Sequence, residues 1–270
     1  MKLGEALKIA KVAGIVSRNV LLGGNLISLS LIKNPRQFVY YVSETLFLYK
    51  KLNAKTGIPQ KNVNEVLPAN NVEDIRLGRL DSSTWLWHAS FTADLVNLCL
   101  ICQIVKPKIV FEIGTLTGYT AFHFALNTAD DARIYTLDLP KGEADNLSKD
   151  ISVLDKGLVE LHARNEAYAF EGTDVASKVT CLYGDSATFD FSPYHGRVDV
   201  FFVDGAHSYE YVRSDTLNAL QCCHPGSVIA WHDFGRVGVN GVSKWIIELS
   251  KVYKNLYSIA GGSLAFMVVE

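Results

Sequence analysis

Between Val110 and Thr120 an apolar run meets an acid and two glycines, Glu112, Gly114 and Gly118, just ahead of a helical pattern. Glycine has no Cβ, so such a bend can take dihedrals closed to other residues and bring its backbone against a ligand. The next helix then turns its free N–H groups toward the same place. That combination suits the floor of a nucleotide-type cofactor site. Three later apolar runs also end in acids or histidines, at Asp138, Asp204 and His232-Asp233.

These residues need elements that bring them together. A helix over 85–105, stopped by Pro107, is followed by strand patterns at 109–113, 133–137, 179–183, 198–203 and 227–231, with helical patterns between them. Such alternation predicts βαβ units and a parallel sheet buried on both faces. The end differs: 256–260 and 264–269 read as two strands joined by Gly261-Gly262-Ser263, a hairpin turn. The expected fold is α/β, a doubly wound, Rossmann-like sheet of seven strands, mainly parallel, with a C-terminal antiparallel hairpin.

The chain of 270 residues, 49% apolar and 20% charged, can bury one sizeable core plus an appendage. The expected division is a helical N-terminal extension and linker over 1–81 and a catalytic domain over 82–270. Residues 12–32 are apolar, but Arg18, Asn19, Asn25 and Gly23-Gly24 interrupt them, leaving less than the roughly twenty residues of a membrane span. The helical pattern over 35–55 ends at Thr56-Gly-Ile-Pro59. These N-terminal helices read as packing within the chain or between subunits of a homodimer, with peripheral membrane contact as the other use. Residues 61–81 are mostly polar and read as a surface linker.

A formal charge of −2, from 26 basic and 28 acidic side chains, offers no chain-wide attraction for nucleic acid. Five cysteines without a framework spacing or secretory leader point to a reducing cytoplasm. Cys99 and Cys102 form a CxxC, but inside an apolar helix and without a second ligand pair, so they read as core.

Taken in order, Glu112-x-Gly114-x-x-x-Gly118, Asp138, Gly184-Asp185-Ser186, Asp204 and the terminal hairpin resemble the class I S-adenosylmethionine-dependent methyltransferases, over about residues 83–270. Phe202-Val-Asp-Gly-Ala-His-Ser-Tyr-Glu210 and Pro225-Gly-Ser-Val-Ile-Ala-Trp-His-Asp233 are similar to the small-molecule O-methyltransferases related to the catechol and macrolide-sugar enzymes. The resemblance implies S-adenosylmethionine as cofactor and a small hydroxylated molecule, a sugar or natural product, as acceptor. Asp138 would take the ribose hydroxyls, Asp185 the adenine amine, Ser186 a ring nitrogen through its backbone, and Glu112 the methionine amine. The loop 114–125 has no Lys or Arg, as suits a cofactor without phosphate.

The same resemblance places divalent-metal ligands at Asp204, His232 and Asp233 and a general base at His207, with Asp204 and His207 as the catalytic pair. The relatives usually carry a carboxylate where this chain has His232, and the catechol branch a lysine where it has His207. A set of two aspartates and a histidine is softer than an all-oxygen magnesium site and suits manganese, iron or zinc as well. Other readings are a metal-independent methyltransferase with His207 as base, an NAD-dependent oxidoreductase, and a cofactor-binding module without catalysis. The oxidoreductase fingerprint, Gly-x-Gly-x-x-Gly, is lacking. Gly235–Gly241 is a candidate flap, which would make Arg236 available to an anionic acceptor, and 139–177 an insertion with Arg164, Tyr168 and Phe170 on a helix. His162 reads as an ordinary residue.

Overall fold

The computed structural model describes residues 56–67, 74–78, 89–141, 147–151, 153–236 and 239–270, with single positions at 24, 32, 33 and 42. The chain divides into two units, Met1–Asn53 and Ala54–Glu270. The N-terminal helices expected over 12–55 lie almost wholly outside the described residues, as do Trp85 and Trp87. Everything below concerns the second unit. No helix among the described residues is long and apolar enough to cross a membrane.

Its elements are α1 (Val63–Val66), α2 (Ala89–Val105), β1 (Ile109–Ile113), α3 (Tyr119–Leu126), β2 (Arg133–Asp138), α4 (Val153–Ala163) and β3 (Val179–Tyr183). They continue with β4 (Val198–Val203), α5 (Tyr209–Cys222), β5 (Cys223–Trp231), α6 (Asn240–Val252), β6 (Leu256–Ser258) and β7 (Ala265–Val268). One seven-stranded sheet has the order β3-β2-β1-β4-β5-β7-β6. β1 to β5 pair in parallel, and β7 is antiparallel to both β5 and β6. This is the expected mainly parallel sheet closed by an antiparallel hairpin.

Strand alternation sorts the core into two layers. Phe111, Ile113, Phe201, Val203, Ile229 and Trp231 face one layer, packed with residues of α5 and α6. Val110, Val200, Phe202, Val228 and Ala230 face the other, packed with residues of α2 and α3. Period-two alternation with apolar residues at every position is what burial on both faces demands. On the first side, Thr216 Oγ1 accepts from Trp231 Nε1 at 2.8 Å and Trp245 Nε1 at 2.9 Å, joining α5, β5 and α6.

The strands read at 133–137, 256–260 and 264–269 shift by one or two residues at an end, and two larger differences from the sequence reading follow. β5 begins at Cys223 rather than 227, because Pro225 and Gly226 lie where the ladder with β4 shifts register between Val198 and Val200, at the strand's outer end. Of the stretch 61–81, read as a surface linker, the described residues 61–67 and 74–78 are tied to the domain. Lys61 N donates to Ser258 O at 3.0 Å, Val63 is fully buried, and Gly78 N donates to His123 Nε2 at 3.3 Å. The CxxC lies in α2 as read, both thiols buried and free, and burial pushes Cys99 up to about 12. It is core, not a redox pair.

α5 starts where Ser208 caps it, its hydroxyl accepting from Tyr211 N, with Glu210 in the first turn. One turn on, Asp215 is fully buried and neither oxygen makes a well-formed hydrogen bond. Burial pushes its carboxyl up to about 7, with Ser186 giving only weak relief. In the unfolded chain the group ionises near pH 3.8, so between about pH 4 and 7 the unfolded state releases a proton that the folded state keeps. Stability then falls as pH rises through that window, by roughly 1.4 kcal/mol per pH unit from this residue. Asp215→Asn is expected to abolish that slope and to be the more stable protein at pH 8, as measured by urea unfolding at pH 5 and 8. A variant that keeps the wild-type slope would contradict this account of Asp215.

Candidate active site

Parallel pairing decides where the candidate residues go. Ile113 is opposite both Leu137 and Val203, Asp138 opposite Tyr183, and Val203 opposite Trp231. The residues that follow, Asp138, Asp185, Asp204, His232 and Asp233, therefore share one rim, the carboxyl ends of the strands, where open α/β sheets bind ligands. Glu112, the penultimate residue of β1, lies just below that rim.

The glycine bend is closely packed. Gly114 has φ 102°, and a Cβ there would lie 2.0 Å from the Asp204 carbonyl oxygen, so backbone presses on backbone between the ends of β1 and β4. Gly118, at φ 72°, leads into α3, and a Cβ on it would meet the Phe170 ring at 2.7 Å. Ala169 N donates to Thr117 O, and the His162 ring nitrogens lie 3.0 Å from Leu116 O and 3.1 Å from Leu139 O. The stretch 162–170 thus covers the bend. Tyr168 and Phe170 lie beyond α4, in irregular chain, rather than on the helix expected there.

Asp138 takes Leu116 N on Oδ2 and Leu139 N on Oδ1, both at 2.8 Å, holding Leu116 at a left-handed φ of 47°. Asp185 accepts Ser148 N on Oδ2 and Ala187 N on Oδ1, and these bonds outweigh burial to lower its pKa. The Ser186 carbonyl accepts from Asn218 Nδ2 at 3.4 Å. Glu112 is buried at 1% exposure. Its Oε2 accepts from Thr136 Oγ1 at 2.6 Å, while Oε1 has no hydrogen-bond partner. Burial, with Thr136 working against it and Asp204 and Asp138 adding to it, raises the Glu112 pKa well above its ordinary value.

At β4 and β5 acids and imidazoles alternate. His207 Nδ1 is 2.5 Å from Asp155 Oδ1 and its Nε2 2.9 Å from Asp233 Oδ2, and Asp155 also receives the His207 backbone N–H. His232 Nδ1 lies 3.1 Å from Asp204 Oδ1 and 3.3 Å from Asp233 Oδ1. Its Nε2 lies 3.2 Å from Asp94 Oδ2. Arg236 Nε pairs with Asp233 Oδ1 at 2.7 Å, so it is already engaged with a carboxylate rather than open to an acceptor. Asp233 sits at φ 61°, a left-handed turn at the tip of β5 that brings its carboxylate among these cations.

Burial opposes charge on both histidines, but the carboxylates win. His207 is raised to about 10 through Asp155 and Asp233, and His232 well above its ordinary value through Asp204 and Asp233. Asp233 is held far down by His232 and His207 despite its burial. One ligand atom from each of Asp204, His232 and Asp233 lies within 4.8 Å of the others, a spacing that fits one cation. A small pocket lies here, lined by Asp204, Ala206, His207, Trp231 and His232 among others. Part of the candidate flap is fixed, since a Cβ on Gly241 would fall 2.4 Å from His207 O at the start of α6.

Asp94, Asp155 and His162 join the site without having been singled out in the sequence. Asp94 had a signal: it is the one acid in the apolar run 89–105 and had to find a partner. Asp155 and His162 had none.

Residues 111–234 match the model of a methyltransferase-domain family. That stretch is similar to a methyltransferase domain. The matched stretch includes the glycine bend and runs to the tip of β5, so the sequence resemblance holds at that level. Among solved structures, the chain is similar to the O-methyltransferase TomG from Streptomyces achromogenes, at 18% identity over 66% of this chain and 80% of that one, with TM-score 0.46. It is also similar to a putative O-methyltransferase from Klebsiella pneumoniae, at 16% over 84% and 90%, TM-score 0.46. A third is a putative caffeoyl-CoA O-methyltransferase from Staphylococcus aureus, at 16% over 93% and 100%, TM-score 0.47. No curated protein sequence matches the chain.

The bend tests the packing account directly. Gly114→Ala places a methyl inside the Asp204 carbonyl and demands a positive φ from alanine, and is expected to cost about 2 kcal/mol or more. A melting temperature equal to wild type would show that the bend is not packed as described.

Proposed function

We propose that the domain transfers the methyl group of S-adenosylmethionine to a hydroxyl oxygen of a small molecule, a sugar or natural product. Glu112 Oε1 carries the cofactor assignment. A buried carboxyl oxygen without a donor, kept from ionising by burial and by the field of Asp204 and Asp138, is what a cationic ligand group would compensate on binding. S-adenosylmethionine supplies such a group in its ammonium, and a reactive methyl on its sulfonium. Asp138 spends two acceptor positions on Leu116 N and Leu139 N, and a carboxylate has about four, which leaves room for ribose hydroxyls. Asp185 and the Ser186 backbone are assigned to the adenine; there the Ser148 N–H would share or yield Asp185 Oδ2. Gly114 and Gly118 serve this site by letting the bend pack tightly enough to aim Thr115 to Thr117 at the rim.

Asp204, His232 and Asp233 are the proposed ligands of a divalent cation, supported by their spacing and by the chemistry of two carboxylates and an imidazole. Such an ion lowers the pKa of a bound hydroxyl, which is the activation that an acceptor oxygen needs. His207 is better used as a positioning residue than as the general base first expected. Both its nitrogens face carboxylates, and an imidazole held to about 10 is already protonated at neutral pH. Its work is to hold Asp233. Asp204, at 21% side-chain exposure, is more open than Asp233 at 13% and meets the acceptor more readily.

One observation favours the metal-independent reading as a second. The imidazolium of His232, between Asp204 and Asp233, itself supplies positive charge where a cation would sit. In that case Asp204 alone takes the acceptor's proton.

Calorimetry with S-adenosylhomocysteine and with NAD decides the cofactor class. Micromolar binding of the first and none of the second is expected, and Asp204→Asn should leave that affinity within a few-fold while cutting turnover roughly 100-fold or more. NAD binding alone would remove the reading. Chelation is expected to abolish activity and manganese to restore it; activity indifferent to chelation selects the metal-independent mechanism.

A further inference from the structure

Asp94 lies in α2, outside the stretch 111–234 that matches the methyltransferase family, and is buried at 1% exposure. Its carboxylate is compensated first by the turn between β6 and β7. Ser263 N lies 2.8 Å from Oδ1 and 2.9 Å from Oδ2, Ser263 Oγ 2.5 Å from Oδ2, and Leu264 N 3.0 Å from Oδ1. A Cβ on Gly262 would fall 2.0 Å from Oδ1, so the turn is pressed against the acid. Those contacts anchor the turn. They do not account for Oδ2 lying 3.2 Å from His232 Nε2, an ion-pair contact off the axis of a linear hydrogen bond.

The His232 ring has little freedom. Phe91, also on α2, meets it edge-on at 5.9 Å and 86°, and Phe202 at 6.3 Å and 70°. In a clamped imidazole, the hydrogen on one nitrogen decides which lone pair the other presents. Carboxylates lie beside both nitrogens, and when a cation occupies the Nδ1 side between Asp204 and Asp233, the negative charge of Asp94 keeps the ring hydrogen on Nε2 and leaves the Nδ1 lone pair to the cation.

We propose that Asp94 is a positioning residue that holds His232 with Nε2 protonated and Nδ1 presented to a divalent cation between Asp204 and Asp233. The inference rests on the metal-assisted reading above. It ties cation affinity to a helix and a hairpin turn that lie on either side of the matched family segment in sequence.

The test uses the full chain and Mn²⁺ alone, with binding followed by the electron paramagnetic resonance of free Mn²⁺ and folding by circular dichroism. Wild type binds one equivalent. Asp94→Asn, which keeps an acceptor for the turn but removes the charge at Nε2, is expected to weaken Mn²⁺ binding 10- to 100-fold with unchanged secondary structure. Ser263→Ala, which loosens the turn and leaves Asp94 beside His232, should bind within a few-fold of wild type. Equal loss in both variants, or no loss in Asp94→Asn, overturns the inference while leaving the metal reading standing. A wild type that binds no Mn²⁺ overturns both. Should Asp94→Asn not fold, long-range ¹H–¹⁵N spectra of the wild type loaded with Zn²⁺ decide the matter. They must show His232 protonated at Nε2, and protonation at Nδ1 refutes the proposal.

Discussion

Buried charge must be matched, and in this protein the matching runs as a chain: Asp155, His207, Asp233, His232 and Asp204, with Asp94 and Arg236 attached at its flanks. Each member is held by a neighbour of opposite sign, at distances of 2.5 to 3.3 Å. Removing one member leaves the next uncompensated in a medium that solvates ions poorly, which costs far more than an exposed pair would lose. The elements that contribute, α2, α4 and the ends of β4 and β5, are therefore bound to one another through this chain as well as through apolar packing.

Backbone geometry at the rim serves the same arrangement. Gly114 lets the end of β1 lie against Asp204, and the left-handed Asp233 turns its carboxylate inward from the tip of β5. The cores beneath are ordinary by comparison, two layers of aromatic and branched side chains on a sheet whose alternation sorts them. Rigid strands below and short strained turns above are a familiar way to fix side chains within the tolerance that transfer chemistry requires. The stretch 162–170 over the glycine bend and Ser148 against Asp185 add a cover drawn from the segment between β2 and β3.

Local pattern carried most of the architecture. The runs at 109–113, 179–183 and 198–203 form strands with those bounds because branched and aromatic residues dominate them. The hairpin was readable from its glycines. Pro225 hid the start of β5, since a proline is at odds with a strand until its place at the outer end is known. Residues 61–81 read as linker because polar side chains dominate, while anchors such as Val63 dock the described part of that stretch. At the site, the acids at strand ends were legible. Asp155 was not, since nothing near it in sequence tells that α4 brings it to His207. His207 was read from the resemblance as an open base, and only its two carboxylate neighbours reveal how it is held.

The amino-acid sequence by itself determined the order of strands and helices, the glycine bend and the placing of Asp138, Asp204 and Asp233 at strand ends, because those depend on periodicity and on turn chemistry within a few residues. Tertiary structure alone decided which acid faces which imidazole. Such pairings join residues far apart along the chain, and their protonation follows from burial and from the sign of the nearest charge, neither of which a linear sequence contains.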